Sequence, residues 1–215
     1  MVGEITIVFV VHGNPIAVGD IKSLAHPGGS ITGLSQMHSE LSTKQLDLLK
    51  RIAPGTSHVA VVWNAVNPVK LADWQELEPA ARTVGVTLQS VEVRRPEDFN
   101  AAYAVIRDQR LHALLTLGDP LTYAFHASLA EFAINERLPA MFPLSGFVEA
   151  GGLASYGANL ADLFHRAAGH VDKILKGANP SDSARATARE IRTLSEPRDR
   201  EKAWPDNPAH GAAAR

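Results

Sequence analysis

The sequence predicts an α/β protein organised around an open, doubly wound parallel sheet. Short apolar, β-branched runs recur along the chain, most are followed by a stretch with helical spacing, and proline or an N-cap residue stands at several junctions. Near-continuous apolar runs are what strands covered on both faces require. Strand followed by helix, repeated, implies right-handed crossovers and a parallel sheet.

The strand candidates, in order, are "ITIVFVV" (5–11), "HVAVVWN" (58–64), "VTLQSVEV" (86–93), "HALLTLG" (112–118), "LPAMFPL" (138–144) and a short "GLASYG" (152–157). Helices are expected over 42–53, 68–84, 96–110, 120–136 and 159–176. Asn67-Pro68, Arg95-Pro96 and Asp119-Pro120 place proline at the first helical position, and Asp119 is also a favoured N-cap. Gly85 and Gly177 fall where helix stops belong. From residue 42 to 157 the alternation completes one sheet of about five strands. The run 5–11 stands apart. A helical stretch and a Gly-rich crossing follow it, so it is expected to join a different sheet whose other strands are missing from this chain.

The chain has 215 residues, 45% of them apolar and 20% charged, which is ordinary for a folded domain. A net charge of -2 gives no pointer to nucleic acid or an anionic membrane as partner, and no nucleic acid is expected. The absence of cysteine excludes disulfides and cysteine-based metal or redox sites. The opening "MVGEITIVFVVHGNP" has a short apolar core, no basic segment and no small-residue cleavage site. It is therefore read as a strand, and as written the chain would stay in the cytoplasm. No apolar run reaches the roughly 18 residues that span a bilayer.

Ligands of open parallel sheets sit beyond the carboxyl ends of the strands. Those ends carry Gly13 and Asn14, then Asn64, then Gly118 and Asp119, then Phe142 to Ser145. Asn and Asp there suit a small polar ligand such as an amino acid, a carboxylate pairing with ammonium and an amide with either end. Capping alone would select the same residue types. "HPGGSITGLS" (26–35) lacks phosphate-loop spacing and reads as a turn into a crossover strand. The nine histidines show no metal spacing, His165 and His170 pointing to different helix faces. Ser35, Ser145 and Ser155 sit in no nucleophile elbow, and "QELEPAAR" (75–82) is an exposed helix face. Neither an enzyme nor a cofactor is expected.

Four segments, "IVFVVHGNP", "SLAHPGGSITGLS", "LSTKQLDLLKRIAPGTSHVAVVWNAVNP" and "LPAMFPLSGFVEAGGLASYGANLADLFHRAAGHVDKILKGANPSD", occur in this order. Over residues 5–182 they resemble the substrate-binding proteins of ABC transporters, in the family with tryptophan- and phenylalanine-binding members. The resemblance implies a type I periplasmic-binding-protein-like fold, here one complete lobe plus a remnant of the other. Residues 1–37 are then the first-lobe remnant and crossing, 38–157 the second lobe, 158–182 the return helix and 183–215 a disordered, non-native tail. It further implies capture of a small solute between two lobes by hinge closure, an aromatic or branched amino acid among the candidates, and delivery to an ABC permease. Asn14, at the family's "GNP" position, and Ser35 become ligand contacts on the first-lobe side. Asn64, Asp119 and Phe142 become contacts on the second-lobe side, with Phe142 or Tyr156 stacking on an aromatic ligand.

Family members are periplasmic or lipid-anchored and begin with a signal peptide and most of a first lobe. The chain is thus expected to be a fragment that binds weakly or not at all. Its tail also departs from the family. "EIRTLSEP" (190–197), read one base later, permits "KFELLVNL", and the family's phrasing is recoverable over about thirty positions. The tail is accordingly expected to be an out-of-frame reading. A sensor or regulator built on the same lobe is the alternative function, and a flavodoxin-like enzyme is disfavoured for want of a cofactor loop.

Overall fold

Two sheets, built around parallel strand pairs, account for the apolar runs. The computed structural model describes residues 5–16, 18–23, 26–36, 38–180, 185–186 and 189–193. In chain order the elements are β1 (Ile7–His12), β2 (Ile31–Ser35), α1 (His38–Ile52), β3 (His58–Asn64), α2 (Pro68–Val84), β4 (Thr87–Val93) and α3 (Asp98–Asp108). There follow β5 (Ala113–Thr116), α4 (Pro120–Ala124), α5 (His126–Asn135), β6 (Ala140–Phe142), α6 (Ser145–Glu149) and β7 (Ala154–Ala158). The last elements are α7 (Leu160–Leu175), β8 (Arg185–Ala186) and β9 (Arg189–Thr193). The chain divides into one unit of Met1–Ser39 with Ala158–Glu190 and another of Glu40–Gly157 with Ile191–Arg215.

The larger unit carries a sheet of order β4-β3-β5-β6-β7-β9. Strand β3 is hydrogen-bonded on both edges, to β4 and to β5, in parallel register. That central place explains "VAVVW": Val59, Ala60, Val61 and Val62 are all fully buried. Leu46 and Leu49 of α1, Leu77 of α2 and Ile106 of α3 join the same apolar core. Each such side chain contributes roughly 1.5–3 kcal/mol relative to exposure.

Asn67 caps α2 through its side-chain oxygen, which accepts from the Val69 N–H, with Pro68 at the first helical position. Gly85 ends α2 in the left-handed conformation, at φ 75°. The single helix expected over 120–136 is two. The chain breaks at Phe125, whose ring is stacked on Phe99 with centroids 4.1 Å apart. A short helix, α6, was not anticipated after β6.

In the smaller unit, the expectation for the first strand is corrected. Strand β1 pairs in parallel with β2, which in turn pairs with β8, so the second sheet has partners within this chain. The helical stretch expected after β1 is absent among the described residues. Turns replace it, with the Pro15 carbonyl accepting from the N–H groups of Asp20 and Ile21. Helix α7 packs on β1 and β2, burying Leu163 and Ala167 beside Leu34. Of the tail expected to be disordered, Arg185–Ala186 and Arg189–Thr193 form strands. The remainder of 183–215 lies outside the described residues.

Two glycines of the unusual Gly-rich segments are required by close approach. A Cβ on Gly33, at φ +152°, would lie 2.0 Å from the Phe9 carbonyl oxygen, and one on Gly157 would lie 1.8 Å from that of Pro143. Gly157→Ala is therefore expected to cost about 3 kcal/mol or more, because backbone must move. Gly169→Ala, mid-helix in α7 with nothing within 4 Å of the new Cβ, should stabilise by about 0.5–1 kcal/mol. Urea unfolding midpoints at unchanged slope give both values.

Candidate functional site

Residues from two strand-to-helix junctions of the larger unit, β3–α2 and β5–α4, meet around one carboxylate. Asp119 follows β5 and caps α4, its side chain accepting from the Leu121 N–H at 2.8 Å and entering a capping box with Thr122. The Thr122 hydroxyl donates to the Leu117 and Asp119 carbonyls, which fixes the turn between strand and helix. Asn64, the last residue of β3, donates its amide Nδ2 to Asp119 Oδ1 at 2.9 Å. Asn67, the cap of α2, donates Nδ2 to Asp119 Oδ2 at 2.7 Å. The two amide oxygens are also in use, accepting from the N–H groups of Val66 and Val69. Each amide is thereby held with its NH2 toward the carboxylate. One hydrogen of each NH2 is spent on Asp119, and a second remains to donate.

A buried ion pair lies behind this cluster. Lys70, on the first turn of α2, donates Nζ to Asp73 Oδ2, and both side chains are buried. Burial pushes the Lys70 ammonium below the usual lysine range, while Asp73 and then the Asp119 charge act to keep it protonated.

The structure brings together two of the residues anticipated as contacts, Asn64 and Asp119, by a direct hydrogen bond. It adds Asn67, which had been read only as a helix start. Phe142 lies elsewhere: it is fully buried, stacked on Phe147 with centroids 4.7 Å apart, so its ring belongs to the core and presents no face for stacking. Tyr156 is also buried in that core, its carbonyl accepting from Gln45 Nε2 at 2.6 Å. Asn14 and Ser35 belong to the smaller unit. Asn14 follows β1 and Ser35 ends β2, paired in register with Ala186.

Two features had no warning in the motifs. Tyr123, one turn into α4, is 39% exposed, and its ring stacks on that of His126 with centroids 5.1 Å apart. At the opposite, amino-terminal ends of the strands, His58 Nδ1 and His112 Nδ1 each lie 3.0 Å from the Ser57 hydroxyl. Among the described residues no group of three or more His, Cys, Asp or Glu is placed to hold a metal ion, and no helix is long and apolar enough to cross a membrane.

The parallel sheet flanked by helices, with polar residues at the carboxyl ends of its strands, is that of type I periplasmic binding proteins. A conserved domain protein of Vibrio cholerae O1 biovar eltor superposes with a TM-score of 0.82 at 22% identity, covering 92% of this chain and 66% of that one. The ABC domain in complex with L-Trp from Streptococcus pneumonia superposes with a TM-score of 0.79 at 20% identity, again covering 92% and 66%. The sequence model for ABC transporter substrate binding proteins matches residues 2–195, and the chain belongs to that family. A curated relative, the tyrosine-binding protein of Clostridioides difficile, is 22% identical over 179 residues, which are 83% of this chain. The chain spans 51% of that relative's length.

The buried pair yields a prediction. Asp73→Asn leaves Lys70 buried without its nearest counter-charge and is expected to cost about 3–5 kcal/mol. In the variant the depressed lysine binds fewer protons folded than unfolded. Stability should therefore rise with pH up to the ordinary lysine value of 10.5, more steeply than in the parent. Urea unfolding near neutrality and in alkaline buffer measures the effect.

Proposed function

We propose that the Asp119 cluster takes a small zwitterionic amino acid, weakly in this chain by itself, as part of the solute-binding component of an ABC importer serving a permease from outside the cytoplasmic membrane. The observation that carries the reading is the paired amides held on one carboxylate at the ends of β3 and β5. A negative charge beside two spare N–H donors matches a molecule with an ammonium group and a carboxylate a few ångströms apart. The ammonium meets Asp119, and the ligand carboxylate takes the free hydrogens of Asn64 and Asn67. The names of the relatives that bind tryptophan and tyrosine point to the same ligand class.

Calorimetric titration of the chain with L-tryptophan and with its analogue lacking the α-amino group tests this. Charged hydrogen bonds of this kind are worth about 1.5–3 kcal/mol, so loss of the amino group should weaken binding roughly 10- to 100-fold. Asp119→Asn, which retains a capping side chain, should weaken L-tryptophan by a similar factor and abolish discrimination between the two ligands. Equal loss of both ligands in the variant would show that Asp119 supports the fold and does not meet the ammonium.

A further inference from the structure

The chain immediately beyond Asp119 carries an aromatic arrangement that the cluster itself does not use. Tyr123 N–H donates to the Asp119 carbonyl at 2.9 Å, so its side chain lies one helical turn from the carboxylate. Its ring is stacked on His126, with planes 17° apart, and meets the edge of the buried Phe147. The Tyr123 hydroxyl reaches the start of α6, where a Cβ on Gly146 would come within 2.9 Å of it. Helices α4 and α6 both begin just past strand ends, so this ring spans the rim between the β5 and β6 junctions. A large aromatic left 39% exposed there is an apolar plane beside the Asp119 cluster.

His126 supplies direction. Its Nδ1 lies 2.8 Å from the Tyr123 carbonyl oxygen. A carbonyl only accepts, so Nδ1 carries the hydrogen that meets it, which in the neutral tautomer makes Nε2 the acceptor. Phe147 meets the His126 ring edge-on at 5.9 Å, which limits how the imidazole can turn. The pair thus combines a stacking plane with one fixed acceptor.

We propose that Tyr123 and His126 determine the side-chain specificity of the site, Tyr123 by stacking on an aromatic ring and His126 Nε2 by accepting from an N–H or O–H on that ring. This rests on the amino-acid reading above and deepens it. Rings bearing a donor, indole and phenol, are preferred over a plain phenyl ring, and aliphatic side chains rank last. Stacking on an aromatic plane is worth about 0.5–1.5 kcal/mol beyond the area buried, and a neutral hydrogen bond a similar amount.

The test titrates the full chain with L-tryptophan, L-tyrosine, L-phenylalanine and L-leucine, and separately follows the His126 ring signals by NMR on addition of indole alone. His126→Phe keeps the stack and removes the acceptor, so tryptophan and tyrosine should fall about 5- to 10-fold to the level of phenylalanine, which is unchanged. Tyr123→Leu should weaken all three aromatic ligands about 10-fold and leave leucine unaffected. If the amino acids bind and neither variant alters their ranking, the inference is overturned while the amino-acid reading stands. If indole shifts the His126 signals but no amino acid binds, the aromatic subsite stands and the amino-acid reading fails. If neither indole nor amino acids bind, both are wrong.

Discussion

Asp119 ties together two neighbouring strand-to-helix junctions, those after β3 and after β5. Its carboxylate starts α4 through the backbone, holds the end of β3 through Asn64 and holds the cap of α2 through Asn67. Every neutral donor in that arrangement is oriented by one charge, and the side chain that supplies the charge is itself buried. The same hydrogen bonds fix the orientation of both amides, which is the pre-organisation a recognition site requires. Structure and recognition are here properties of the same hydrogen bonds, so changes of charge separate the two roles more cleanly than truncations do.

Lys70 and Asp73 extend the same logic inward. A buried lysine is costly, and it persists because one carboxylate contacts it and a second lies close enough to favour its charge. The pair links two residues three apart on α2, at the start of that helix.

Much of the fold was legible in the residues. Continuous apolar runs marked β3 and β5 because both are interior strands, and proline at the first helical turn marked α2 and α4. Asn64 and Asp119 were visible as polar residues at strand ends. Their partner Asn67 was hidden by its success as a cap, since one amide can accept from the helix and donate to Asp119 at once. Phe142 illustrates the reverse case. It stands at a strand end, yet between Met141 and Pro143 its ring turns inward onto Phe147, a long-range contact that no local pattern encodes. The parallel partner of β1 was obscured because "ITGLS" is short and glycine-bearing. The glycine proves to be a condition of the pairing, since Gly33 lies against Phe9. Tyr123 escaped notice because a single helix was expected through 120–136, and the break at Phe125 is what sets His126 against it.

The central claim is that the amides held on Asp119 face the ligand. Side-chain NH2 resonances of Asn64 and Asn67, assigned by NMR and followed while L-tryptophan is added to the chain, test it most directly. The account predicts that both pairs of resonances shift with the ligand and that the hydrogen not bonded to Asp119 moves further. Unmoved amide resonances, with shifts gathered instead around His58 and His112 at the amino-terminal ends of the strands, would contradict it.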